Sequence, residues 1–258
     1  MRLMKRILSA AAVLALSASL LVGCSSGTAS SVPVSASSAA ESTVSSVEET
    51  ASSAVDENEA AAAQLLNDLT GSYQELWPVI LADEYKQTWL DDCTALVGED
   101  NAEAAFEKLS SMVTGDVYGE DAVKAYANGG GAYFCGFTNS LAILTFDGET
   151  STISGTDKDG NVLFSHTYHY IGMEPVRGLY EFQSDDADSG EFTYFFLAPD
   201  TSAETYHIEF RYGSDADALS QYDAGDYAYW LASGISTDCD QTMIDNGIEL
   251  FCTENLAG

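Results

Sequence analysis

SLAILTFDGETSTISGTDKDGNVLFSHTYHYI, residues 140–171, is the stretch whose reading decides the fold. Aromatic and β-branched residues recur in it in runs too short for helices, and turn residues such as DKDGN at 157–161 separate the runs. Strand side chains alternate between two faces, so such runs predict half-buried strands. The pattern extends on both sides: AYFCGFT (132–138) precedes it, and GLYEFQ (178–183), FTYFFLA (192–198) and ETYHIEFRY (204–212) follow, with DDADSG at 185–190 as a further turn. Seven or so strands at near-regular spacing predict a closed or nearly closed antiparallel barrel, or a sandwich.

Before Gly129-Gly130-Gly131 the period is different. EAAAAQLLNDL is rich in helix formers, and QELWPVILADEYKQTWLDDCTALV, AEAAFEKLSSMV and EDAVKAYA carry apolar residues at helical spacing, so the first third of the domain is expected to be helical, with Pro78 in a first turn or at a break. From Ala216 onward the chain reads as short helix or irregular structure with aromatics in DYAYWLA. The class is α+β and mainly β, with helices beside the barrel or over one end of it.

At the N-terminus, MRLMKR is followed by an apolar run that stops at Cys24, the pattern of a secretory signal over residues 1–23. Leu21-Val22-Gly23-Cys24 resembles a bacterial lipobox, which implies lipidation of Cys24 and attachment to the outer face of the cell membrane. Residues 24–58 are mostly Ser, Ala, Thr, Val and Glu without an aromatic, and read as a flexible spacer. One domain over 59–258 is left, divided into a helical part (59–128), a barrel (132–213) and a C-terminal region (214–258). Loss of Arg2, Lys5 and Arg6 with the signal would leave 6 basic residues against 41 acids, a formal charge of 6 − 41 = −35. Such a field disfavours nucleic acid and anionic lipid and enriches cations. Besides Cys24 there are Cys93, Cys135, Cys239 and Cys252; no C-x-x-C occurs, and an even number in an exported domain suits two disulfides in any of three pairings.

Three segments resemble the ZinT/AdcA C-terminal domain family of exported zinc-binding proteins. Residues 71–81 (GSYQELWPVIL) resemble its GxWQSVYPYL opening, and 166–172 (HTYHYIG) its YTYKYVG strand. FQSDDADSG at 182–190, with the later His207 and Gly213, resembles its FEATDADAGQFKY segment and HFHIFFG strand. The resemblance implies a calycin- or lipocalin-like antiparallel barrel that holds Zn²⁺ through three histidines and assists an ABC metal importer through its solute-binding partner. In this chain the matching positions are Asp200, His207 and Glu209, and the loop between the two flanks is two residues shorter than the family's. One imidazole remains and two positions are carboxylates. His207 and Glu209 are two apart on a strand and so share a face. One imidazole with two carboxylates suits Zn²⁺ and, with more oxygen in the set, Mn²⁺ or another divalent cation. Affinity is expected to be lower than for three histidines and sensitive to proton competition for the imidazole.

His166 and His169 are three apart on a predicted strand, hence on opposite faces. Asp157-Lys158-Asp159-Gly160-Asn161 reads as a hairpin turn, since it lacks the distal Glu of a calcium loop. No G-x-S-x-G, H-E-x-x-H or P-loop pattern occurs, and an enzyme is not expected. The expected function is divalent-metal binding, zinc first, by a membrane-anchored extracytoplasmic protein that assists metal uptake. The alternative is a metal-free calycin-like module for a small apolar ligand or another envelope protein.

Overall fold

The computed structural model describes residues 57–257 apart from Ser202, so the expected signal, Cys24 and nearly all of the spacer lie outside the described residues. Eight antiparallel strands form a closed barrel in sequential order: β1 (Gly71–Glu75), β2 (Ile143–Asp147), β3 (Thr152–Thr156), β4 (Val162–Met173), β5 (Tyr180–Ser184), β6 (Tyr194–Leu197), β7 (Ile208–Gly213) and β8 (Ala232–Ser236). Helices are α1 (57–68), α2 (Leu76–Ile80), α3 (Lys86–Val97), α4 (Glu99–Val113), α5 (Glu120–Ala127), α6 (Ala216–Leu219) and α7 (Gln241–Leu256). This is the expected calycin-like class, an up-and-down barrel with attached helices. No helix among the described residues is long and apolar enough to cross a membrane.

The barrel is not confined to 132–213, because β1 lies inside the segment read as helical and β8 inside the C-terminal region. GSYQE is too short to show a period and runs straight into the helical LWPVI. ASGIS has no aromatic residue because it is covered on both sides: Ala232, Ser233, Gly234 and Ile235 are all buried. AYFCGFT, conversely, forms no ladder strand and touches its neighbours through isolated bridges of Phe134 to Thr114 and Trp230. Side chains from the barrel end take up its backbone groups instead. Glu75 Oε1 accepts from Phe137 N–H at 2.5 Å, the Tyr212 hydroxyl accepts from Thr138 N–H at 2.6 Å, and Trp230 Nε1 donates to the Gly136 carbonyl at 2.9 Å.

Alternation sorts the side chains into two cores. Phe146, Ile153, Phe164, Phe182, Phe195, Phe210 and Tyr212 are inward-facing and buried, and the rings of Phe164, Phe210 and Tyr212 contact that of Phe195 across the interior. The barrel is thereby filled with side chains. Gly155 makes room for this packing, since a Cβ there would lie 2.5 Å from the Phe164 ring. Ala62, Leu65 and Leu66 of α1, with Leu69, join the same cluster, and the helix is pinned to the β2–β3 turn by Gly148 N–H donating to Thr70 Oγ1 at 3.0 Å. The second core lies outside the wall. Ile235 on the outer face of β8 packs with Leu76, Trp77 and Ile80 of α2, Trp89 and Cys93 of α3, Leu109 of α4, and Ile244, Ile248 and Cys252 of α7. At about 25 cal/mol per Å² of apolar area removed from water, each such large side chain contributes roughly 1.5–3 kcal/mol.

Candidate metal centre

β7 borders both cores. Ile208, Phe210 and Tyr212 face the interior, so Glu209 and Arg211 face outward, and His207 shares their side. The chain enters β7 from a turn in which Glu204 N–H and Thr205 N–H both donate to the Thr201 carbonyl, and Tyr206 holds a left-handed φ of 65°. A non-glycine residue in that region stores on the order of 1–3 kcal/mol of strain. The reversal brings His207 Nδ1 within 2.7 Å of the Thr205 carbonyl oxygen. Donation from Nδ1 assigns the ring proton there and leaves the Nε2 lone pair free. Nε2 lies 3.9 Å from Glu209 Oε1. Two donors held at about 2.0–2.2 Å by a tetrahedral cation sit roughly 3.4 Å apart, so small side-chain rotations bring this pair to bridging distance.

The two groups open into a cleft of about 90 Å³ between the barrel wall and the helical layer. Leu76, Trp77 and Ile80 of α2, Ile235 of β8 and Phe251 of α7 make its apolar walls, Tyr206 also lines it, and Glu254 of α7 joins His207 and Glu209 as its third histidine or carboxylate side chain. Glu254 is solvent-exposed, yet partial desolvation first raises its carboxyl above the usual carboxylate range; His207 opposes the shift, and Glu209 and Asp200 add to it. Burial likewise pushes the nearby Cys135 thiol up to about 12, with Glu209 contributing. Among the described residues, no lysine or arginine lines the cleft.

Of the three expected ligands, His207 and Glu209 are brought together. Asp200 is exposed on the preceding loop and does not line the cleft, although its charge reaches Glu254. Among the described residues, no three His, Cys, Asp or Glu side chains are already gathered as a metal cage. Glu254 was not read from the sequence. Its only signal there is the spacing of Gly247, Phe251 and Glu254, four and three apart, which sets an acid on the packing face of the last helix.

The remaining histidines are occupied elsewhere. His166 Nδ1 lies 2.7 Å from Asp186 Oδ2 and His169 Nδ1 lies 2.6 Å from Asp185 Oδ1, two separate pairs from opposite faces of β4. Asp157 closes the expected hairpin turn, accepting from the Asp159 and Asn161 N–H groups at 2.9 Å each and from the Asn161 side chain at 2.8 Å. Those bonds, the Asn161 side chain first, draw its carboxyl below the usual range.

Compared with known families and with curated proteins, the chain matches none. Solved structures that resemble it distantly include the following two. The Zn(II)-bound ZinT-like domain of Streptococcus pneumoniae AdcA matches with a TM-score of 0.45 at 14% identity, covering 71% of this chain and 89% of that one. Zn(II)-bound AdcA from Streptococcus pneumoniae matches with a TM-score of 0.41 at 13% identity, covering 72% of this chain and 34% of that one. The likeness is one of overall shape and brings no metal, ligand or partner to this chain.

Proposed function

We propose that the cleft beside β7 binds a divalent cation, zinc first and Mn²⁺ or another divalent ion second, with His207 Nε2 and Glu209 as the inner ligands. Glu254, on the opposite wall, supplies the third, and Asp200 contributes charge from the rim. The observation that carries this reading is the imidazole locked through Nδ1, its free nitrogen 3.9 Å from a carboxylate, in a cleft that holds a second carboxylate. A bound cation would offset the repulsion between these acids, which His207 relieves only in part and which no lysine or arginine among the described residues of the cleft answers. The role proposed is binding rather than catalysis: metal captured outside the membrane by a protein anchored through Cys24 and passed to the solute-binding component of an importer. The buried aromatic and aliphatic side chains of the barrel interior support this reading over the alternative of a small apolar ligand held inside the barrel. Calorimetric titration of the protein with Zn²⁺ and with Mn²⁺, beside His207→Ala, is the test. Saturable heat in the parent that collapses in the variant supports the site; indistinguishable heats in the two proteins reject it.

A further inference from the structure

We infer that Cys93 and Cys252 are the two halves of an intramolecular disulfide that locks α3 to α7. Their sulfurs face each other at 3.9 Å across the helical core, and both side chains are fully buried. A disulfide bond is about 2.05 Å long, so closure asks the sulfurs to approach by roughly 2 Å, a movement on the scale of side-chain rotation. Cys135 is engaged differently, with its thiol directed to the Tyr133 carbonyl oxygen at 3.8 Å. Of the three pairings open to four cysteines, the geometry selects the one containing Cys93–Cys252.

The bond forms by exchange with a disulfide R–S–S–R, carried by an oxidoreductase or a small molecule. One cysteine thiolate attacks the oxidant, giving a mixed disulfide and releasing RS⁻. The second thiolate attacks the cysteine sulfur of that mixed disulfide, closing Cys93–Cys252 and expelling the second RS⁻. The two cysteine protons end on the two released thiols, and the oxidant's disulfide takes up the two electrons. Burial raises both thiols above their ordinary range, so exchange belongs to the period before α7 docks, and the folded, reduced protein should oxidise slowly. The cross-link would join α3, which lies between β1 and β2, to α7, which follows β8, and restrain nearly the whole barrel in the unfolded chain. It also fixes the helix that carries Glu254; that consequence alone rests on the metal reading.

The full chain, reduced and denatured, is refolded with oxidised glutathione, alkylated under denaturing conditions, digested at acidic residues and mapped without reduction. Expected is one peptide pair linking Cys93 to Cys252, and a thermal midpoint that falls by roughly 5–15 °C on reduction or in the Cys93→Ala, Cys252→Ala double variant. Recovery of either cysteine with the alkyl label, or linked to Cys135 or Cys239, overturns the assignment. The map reads the covalent bond in the parent protein and is indifferent to metal, so failure here and failure of the metal site are told apart.

Discussion

Two outward-facing positions of one strand, Glu209 and Arg211, are two residues apart and meet opposite fates. Arg211 is fully buried. Its guanidinium donates to the carbonyls of Leu219, Gln221 and Tyr227, and lies 4.4 Å from the centre of the Tyr222 ring, against which Arg177 also packs at 4.3 Å. Behind Tyr222 is the buried carboxylate of Glu174, itself accepting from the Val176 and Arg177 N–H groups at 2.7 and 2.6 Å. Every strong group there has a partner within the protein except Arg211 Nε, so the arrangement clamps the 214–231 segment to the barrel wall. At Glu209 the opposite holds: acids converge, among the described residues only the His207 imidazole and no lysine or arginine faces them, and a cleft remains. A satisfied buried charge organises the fold, whereas unanswered charge in a cleft asks for a ligand.

The harshest way to break this contrast is at the clamp. Arg211→Met should cost about 3–5 kcal/mol, because three carbonyls and a carboxylate lose their cation together. Thermal unfolding would then show a midpoint lower by roughly 6–20 °C. Glu209→Gln, two residues away, should leave metal-free stability within about 0.5 kcal/mol. Equal losses in both variants would mean that the two positions do not differ in kind.

His207→Ala tests the other side of the contrast. Removing the nitrogen ligand should weaken Zn²⁺ binding by about tenfold or more while metal-free stability changes little, read by calorimetry and thermal unfolding of the same samples. A variant that loses stability but retains its metal would place His207 with Arg211, as a structural group.

Much of the barrel was legible, because β2 to β7 carry the aromatic or β-branched runs that a filled interior demands. β1 and β8 were not, for different reasons. GSYQE has only Tyr73 buried and runs straight into the helical LWPVI, whereas ASGIS is covered by the barrel interior on one side and the helical core on the other and so loses the polar half of the alternation. The site divides in the same way. His207 and Glu209 are local in sequence, and period two places them together; Glu254 arrives from the last helix, and only the tertiary packing of α7 against α2, α3 and Ile235 of β8 brings it to the same cleft. Asp200 stands where the flanks align, yet its loop holds it at the rim.

Glu254 sharpens the comparison at intermediate size. Its carboxyl is raised by partial desolvation and by Glu209 and Asp200, so the folded state binds its proton more tightly than the unfolded chain does. Stability from this group is therefore greatest at low pH and declines as pH rises through the ordinary carboxylate value toward the raised one. Glu254→Gln should abolish that decline and stabilise the metal-free protein near neutral pH by less than about 1 kcal/mol, because the group is partly solvated. The same variant should weaken metal binding several-fold. Higher metal-free stability with lower affinity is the signature of an acid held in place for a cation; loss of both would make it an ordinary packing residue.

The smallest effect is expected at Asp200, and it separates a charge that acts through space from one that binds. An exposed carboxylate outside the cleft lowers the energy of a bound cation through solvent, and this attraction fades once ionic strength shortens the screening length from about 10 Å at 0.1 M to about 3 Å at 1 M. Asp200→Asn should therefore weaken Zn²⁺ binding only two- to three-fold at low salt, on the order of 0.5 kcal/mol, and the difference from the parent should vanish at high salt. The loss caused by His207→Ala should persist there, since a coordination bond is not screened. If Asp200→Asn instead weakens binding as much as His207→Ala, and equally at both salt concentrations, the 200–206 loop must fold over the cleft when metal binds, and the strained Tyr206 would be its hinge.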